Sequence, residues 1–328
     1  MILRTRGTLA ATGLLVATGM LLAGCGSGAA SDGSDGYTVY ALLPQGNDQP
    51  YGTTYLPPMQ EAAAKAGIKL TITNSQYDAD KQASECEVAV AARPDLIILW
   101  PAVADTVRPC LEAAKAADIP VTVTNSDVIP ADKSLIKAYS GPDTYGQGAA
   151  SAEIMCELAD GKPTGILMVN GLTGNTTAIN RRQGFLDTIQ KNCPNVTVLA
   201  EQPGNWNKDT SQTVTSEMLT SVGAAKVQGI YAADDTMVAG AIDALKAQGI
   251  DPKPLLITSI GNTKLGNPLI KSGELDGTIF QSSSWDGQNA VVVAEKVLKG
   301  ESVDENLFMP SVKVTAANAD SPEVAPEW

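Results

Sequence analysis

Gly165-Ile-Leu-Met-Val-Asn-Gly-Leu-Thr-Gly-Asn-Thr-Thr-Ala-Ile-Asn-Arg-Arg-Gln-Gly-Phe185 is the stretch that decides the fold. Ile166 to Val169 read as a buried parallel strand, and Gly171 and Gly174 punctuate the turn that follows. Asn175, Thr176 and Thr177 can each take orphan backbone donors at the start of a helix. The same pattern would serve an ordinary strand-to-helix turn in any α/β protein. Here, however, it lies near the middle of the chain, with a comparable set of strand-helix units on either side. That placement predicts two lobes with a groove between them, and a helix N-terminus aimed at the groove.

The alternation continues outward in both directions. Apolar, β-branched runs appear at 38–43, 69–73, 96–100, 120–124, 165–169, 196–199, 229–232, 255–260 and 277–280. Helical spacing of apolar residues falls between most of them, at 59–66, 83–92, 106–117, 145–158, 184–191, 237–247 and 290–298. Such order implies parallel sheets with right-handed crossovers. Nine strands in this length fit two sheets better than one.

Composition narrows the function. The 328 residues suffice for two cores, with 44% hydrophobic and 18% charged residues. Net charge is −13, and removing a leader whose only charges are Arg4 and Arg6 takes it to −15. A surface of that sign repels nucleic acid and anionic lipid, so neither is expected as a partner of the folded body. Histidine is absent, which removes the commonest general base and metal ligand. No GxSxG, P-loop or GxGxxG motif occurs either, so we expect no enzyme, no cofactor and no metal.

The amino-terminal segment carries its own signal. Arg4 and Arg6 precede an uncharged run, and Leu22-Ala23-Gly24-Cys25 matches the bacterial lipoprotein cleavage box. Residues 1–24 are therefore expected to be a lipoprotein signal peptide, Cys25 a lipidated anchor, and residues 25–36 a flexible tether outside the cytoplasm. Cys86, Cys110, Cys156 and Cys193 remain. In an oxidising compartment they allow three pairings or none, and Cys86–Cys110 with Cys156–Cys193 is favoured because each closes a loop within one lobe.

Several short motifs now fall into a recognisable order. They are Asn47-Asp48-Gln49-Pro50-Tyr51 after the first strand, Leu96-Ile-Ile-Leu-Trp-Pro101, Ile119-Pro120-Val121, Gly184-Phe185, and Gln202-Pro203 with Trp206. Ala233-Asp234-Asp235-Thr236-Met237, Gln281 and Lys296-Val-Leu-Lys-Gly300 complete them. From roughly Tyr37 to Asn318 the chain resembles a type I periplasmic binding protein of the ribose and simple-sugar branch. The resemblance implies two Rossmann-like (flavodoxin-like) parallel-sheet lobes joined by three hinge crossings, near Ser140, Gln281 and Pro310. It places residues 37–140 plus 282–309 in one lobe and 141–281 plus 310–322 in the other, with 323–328 as a tail. It also implies a monomer that closes on a small sugar-like ligand and delivers it to an ABC permease, membrane contact being through the lipid anchor alone. A sensory lipoprotein presenting the same ligand to a membrane receptor is the alternative.

Residues just beyond the carboxyl ends of the strands mark the candidate site. From these positions Gln49, Tyr51, Trp100, Asn125, Ser126, Trp206, Asp234, Asn262 and Gln281 are expected to bind ligand. Indole faces stack on the C–H faces of sugars, and the family places an aromatic where Trp206 stands. The resemblance also marks departures. Asn125 and Ser126 stand where simple-sugar binders carry Asp-Arg, Ile179 where they carry an arginine, and Gly261 where they carry an Asp. Arg181 and Arg182 read as scaffolding and surface charge. A site without those charges is expected to favour a polyol, a deoxysugar or a ligand with an apolar or cationic portion.

Overall fold

A computed structural model describes residues 36–328; the leader, most of the tether and Cys25 lie outside the described residues. In the first half, the expected runs form β1 (Thr38–Leu43), β2 (Lys69–Asn74), β3 (Leu96–Leu99) and β4 (Val121–Thr124), followed by β5 (Ala138–Gly141). The second half supplies β6 (Thr164–Asn170), β7 (Val196–Pro203), β8 (Gly229–Ala232), β9 (Leu256–Thr258) and β10 (Gly277–Phe280), then β11 (Asn306–Phe308) and β12 (Val312–Thr315). Between them run α1 (Pro50–Lys65), α2 (Ala79–Ala92), α3 (Arg108–Ala116), α4 (Thr144–Ala159), α5 (Thr176–Asn192), α6 (Lys208–Val222), α7 (Asp235–Ala247), α8 (Gly266–Ser272) and α9 (Ser283–Leu298).

Two six-stranded sheets result, ordered β11-β5-β4-β3-β1-β2 and β12-β10-β9-β8-β6-β7. All pairings are parallel except that of β12 with β10. The central strands are buried on both faces, which is why β3 and the middle of β6 read as unbroken apolar runs, while β4, Val-Thr-Val-Thr, alternates in sequence yet buries its threonines as fully as its valines. The chain leaves the first sheet after β5, returns after β10, and crosses again between β11 and β12. At the first crossing Gly141 has φ of 153°, and a Cβ there would lie 2.8 Å from Asn125 N, so only glycine fits.

Helix starts are capped by the side chains the sequence offers. Asn175 accepts from the Ala178 N–H, Asp234 from Met237 N–H and Ser282 from Trp285 N–H. These three caps stand at the carboxyl ends of strands, so capping and site construction use the same loops. Two disulfides clip neighbouring helices: Cys86 on α2 to Cys110 on α3, and Cys156 on α4 to Cys193 just after α5, with Cα separations of 5.8 and 5.5 Å.

The differences from expectation have local causes. The helix expected from Met59 starts at Pro50 and contains Pro57 and Pro58. Pro50 suits the first turn, and burial of Tyr51, Tyr55, Leu56 and Met59 outweighs the donors that Pro57 and Pro58 lack. Strands β5, β11 and β12 have no counterpart among the expected runs. They are three or four residues long and their sequences, Ala-Tyr-Ser-Gly, Asn-Leu-Phe and Val-Lys-Val-Thr, carry no sustained apolar run. Pairing partners distant in sequence create them.

Candidate functional site

Loops at the carboxyl ends of both sheets face each other across a cleft of about 620 Å³, its open mouth included. From the first lobe come Gln45, Gln49, Tyr51, Tyr77, Trp100, Asn125 and Ser126. The second lobe contributes Asn175, Thr177, Arg181, Trp206, Asp234 and Thr236, and Gln281 stands at the second crossing. Eight of the nine residues expected from the sequence line this cleft. Asn262 does not. It is fully buried behind β9, where Nδ2 donates to the Val324 carbonyl and Oδ1 accepts from Asn267 Nδ2 at 3.1 Å. Its position after a strand marks the right edge of the sheet, but the side chain holds the chain's tail.

The first-lobe wall is aromatic over a buried carboxylate. Tyr51 and Trp100 meet edge to face with ring centroids 5.6 Å apart. Behind them, Tyr51 Oη and Asn125 Nδ2 both donate to Asp286 Oδ2 at 2.7 Å, and Thr124 Oγ1 donates to Oδ1 at 3.2 Å. Asp286, on the first turn of α9, gives no signal in the sequence because it reaches the site from behind. Burial pushes its carboxyl up to about 6, while Asn125, Tyr51 and Thr124 pull the other way by favouring the ionised form.

The second-lobe wall is organised by Arg181. Its Nε and Nη2 donate to Gln147 Oε1 at 3.2 and 2.8 Å, Nη1 to the Ala233 carbonyl at 2.7 Å, and Nη2 to Gln281 Oε1 at 2.5 Å. The guanidinium lies 5.9 Å from the Trp206 ring centroid. This corrects the position matched to the family's arginine, while Arg181 ties Gln147, Ala233 and Gln281 together as the scaffold expected. Ile179, matched to the family's arginine, is half exposed on the surface, whereas Arg181, read as scaffolding, is buried in the cleft wall. A two-residue offset on a helix turns a side chain by roughly 200°, which a motif match without a fixed register does not resolve. Arg182 is the surface charge expected, paired with Glu201 at 2.6 Å.

Asp234 completes that wall. Its Oδ1 caps α7, and burial raises its carboxyl to about 7 against the lowering by the Met237 N–H and Arg181. Trp206 packs its ring on Gly171, where a Cβ would stand 2.2 Å from the indole. Ring contacts hold both indoles: the Tyr51 ring meets Trp100, and the Arg181 guanidinium lies over Trp206. Tyr77, Asn125 and Trp206 all hold φ near +60°, a conformation asparagine accepts readily but one that costs the two aromatic residues, whose surroundings impose it.

The lobes are in contact across the mouth. Ala104 N–H donates to Gly174 O at 3.0 Å, Asn175 Nδ2 to Ala102 O at 3.1 Å, and Ser126 Oγ shares a 2.8 Å hydrogen bond with Thr177 Oγ1. Thr176 Oγ1 also donates to the Asp127 carbonyl. The glycine-punctuated turn at 171–174 and the cap at Asn175 therefore serve as the second lobe's docking rim. This is a closed arrangement, and Ser126 is engaged in it as well as lining the cleft.

Residues missed from the sequence fall into two kinds. Tyr77 follows β2 and obeys the strand-end rule that found the others; Gln45 Nε2 donates to its hydroxyl at 2.6 Å. Trp328 gives no signal at all, being far from any strand or helix pattern, yet it too lines the cleft. Among the described residues no cluster of three or more histidine, cysteine or acidic side chains could hold a metal ion.

Comparison with known proteins agrees with this architecture. A family model described as a periplasmic binding protein domain matches residues 40–302. A xylitol-binding protein of Mycolicibacterium smegmatis is 29% identical over 306 residues, covering 91% of this chain and 83% of that protein. A galactofuranose-binding protein of Escherichia coli is 30% identical over 249 residues, covering 75% and 78%. A Mycobacterium smegmatis crystal structure in complex with β-D-fucofuranose superposes with a TM-score of 0.80 at 25% identity, covering 87% of this chain and 93% of that one.

Proposed function

This chain belongs to the periplasmic binding protein family, and on that premise we propose that it captures a monosaccharide or short polyol for an ABC importer. It is a binding protein and not an enzyme. The observation that carries the proposal is the pair of tryptophans, Trp100 and Trp206, that two separate sheets bring to one cleft, alongside Arg181, Asn125, Asp234 and Gln281. Aromatic faces accept the C–H surfaces of a sugar, and the polar side chains match hydroxyls that would otherwise lose hydrogen bonds to water. With Arg181 in the wall, the site has a strong donor that the motif comparison places at Ile179 and finds absent. Hydroxyl-dense ligands of the size named for the relatives, xylitol and galactofuranose, therefore fit its chemistry.

Capture works by closure. The ligand touches groups on both lobes only when they approach, so binding favours the closed form by the contacts the open form lacks. The hydrogen bonds from 174–177 to 102–104 and 126–127 then seal the mouth, and the joined rims present one surface to a permease. The mobile bodies are residues 37–140 with 282–309 and residues 141–281 with 310–322. We assign the chain to the outer face of the bacterial cell membrane as a monomer held by lipid on Cys25.

Calorimetry against xylitol, D-ribose and galactofuranose, with mass spectrometry of ligand released from purified protein, tests the assignment. We expect a Kd near or below about 1 μM for at least one. No heat from any of them, and no sugar or polyol released, would overturn it. Cys25→Ala should leave the chain uncleaved or mislocalised; normal processing and membrane retention would refute the anchor.

A further inference from the structure

The segment Ala325–Trp328 runs from one lobe to the other. On one side, Val324 is buried in the second lobe's core and its carbonyl accepts from Asn262 Nδ2. Lys264 N–H, on the loop after β9, donates to the Trp328 carbonyl at 2.5 Å. On the other side, Glu327 lays its carboxylate over the start of α9, which packs against α1 and the first sheet. Oε1 accepts from Ser282 Oγ at 2.7 Å, and Oε2 accepts from Ser283 Oγ at 3.0 Å and from the Ser284 N–H at 2.8 Å. A carboxylate there also meets the positive end of the helix.

Between these anchors the Trp328 indole enters the cleft. Its ring stands edge to face with Tyr51, centroids 4.9 Å apart, and Nε1 donates to the Gln281 carbonyl at 3.2 Å. The ring is half-buried, packs against the first lobe's core, and lines the same cavity as Trp100 and Trp206. Its orientation is fixed by a hydrogen bond and a ring contact. Its place is set by two lobes at once.

We propose that Trp328 is a ligand-contact residue that sets specificity, delivered by a strap completed when the lobes close. This deepens the assignment of the cleft to a monosaccharide or polyol and rests on it. The strap adds an aromatic wall at the Tyr51 corner of the cavity that Arg181 and Asp234 also line. A small sugar or polyol held in that cavity would meet the indole of Trp328 through its C–H groups. Because Glu327 and Lys264 hold the strap to opposite lobes, opening has to strain or release it, so its main effect falls on ligand dissociation.

Calorimetry and stopped-flow fluorescence on full-length Trp328→Ala, Trp328→Phe and Glu327→Ala, with xylitol, D-ribose and myo-inositol as probes, test this. Trp328→Ala should weaken the best probe about tenfold or more, mostly through faster dissociation, while Trp328→Phe stays within about threefold. Glu327→Ala should speed dissociation with the indole still present. Ligand-free melting temperatures should stay within about 2 °C of wild type, showing that the fold is intact. Wild-type affinity and dissociation rate in Trp328→Ala would overturn the inference. Tighter binding would overturn it too, since Trp328 would then occupy the site rather than wall it. If the wild-type protein binds none of the probes, the assignment of the cleft fails and this inference with it.

Discussion

The Tyr51 hydroxyl donates to Asp286 Oδ2 at 2.7 Å across 235 positions of sequence. Asn125 Nδ2 reaches the same oxygen at the same distance, so the end of β4, the start of α1 and the first turn of α9 converge on one carboxylate. The charge behind the aromatic wall thus holds two ligand-facing side chains in place without lining the cleft itself. Buried networks of this sort fix geometry when every member is satisfied.

Stability should fall with rising pH through these groups. The folded-state carboxyls of Asp286 and Asp234 lie at about 6 and about 7, against an ordinary value of 3.8. Since the folded state binds the proton more tightly, both groups are neutral and cost nothing below about pH 4. The cost appears as pH rises and is complete above about 7, at ~1.4 kcal/mol for each tenfold difference in proton affinity between folded and unfolded chain. Urea midpoints from pH 4 to 8 should show this slope, reduced in Asp286→Asn and Asp234→Asn. A wild-type slope in both variants would contradict the assignment.

Trp206→Ala and Trp100→Ala should separate binding from stability. Trp206 is half-buried on Gly171, so its loss should weaken ligand binding at least about tenfold with a modest drop in melting temperature. Trp100 is almost fully buried, and its removal should also cost ~3–5 kcal/mol of folding stability through the cavity it leaves. Calorimetry beside thermal melts reads both. Unchanged affinity in both variants would move the binding site elsewhere.

Arg181→Lys should not behave as a conservative change. Lysine cannot reproduce the fork that serves Gln147, Gln281 and the Ala233 carbonyl together, and a buried acceptor left unpaired costs about 1–3 kcal/mol. Affinity should drop at least about tenfold and the melting temperature should fall. Full retention of both would refute a role for the guanidinium fork in binding and in holding the cleft wall.

The disulfides should stabilise each lobe separately. Cys86–Cys110 and Cys156–Cys193 span 24 and 37 positions, for which chain entropy gives ~3–4 kcal/mol each. Double Cys→Ser variants should lower the melting temperature while leaving ligand affinity within about twofold, since neither bridge crosses the cleft. Peptide mapping without reductant that joined Cys86 to Cys156 or Cys193 would refute this.

What the sequence by itself determined is what local chemistry encodes. Apolar runs such as Leu96–Leu99 declare buried strands, side-chain caps such as Asn175 and Asp234 declare helix starts, and strand ends collect Tyr51, Trp100, Asn125 and Trp206 at one edge. Fold class and most of the cleft follow from those signals, because parallel sheets present their carboxyl ends together. Tertiary structure alone decided the rest. Whether Arg181 or Ile179 faces the cleft depends on the rotation of α5 on its sheet, and Asn262 is drawn inward by a tail carbonyl. Asp286 and Trp328 act through partners hundreds of positions away, and no periodicity of a few residues can record a contact that only closure of the whole chain creates.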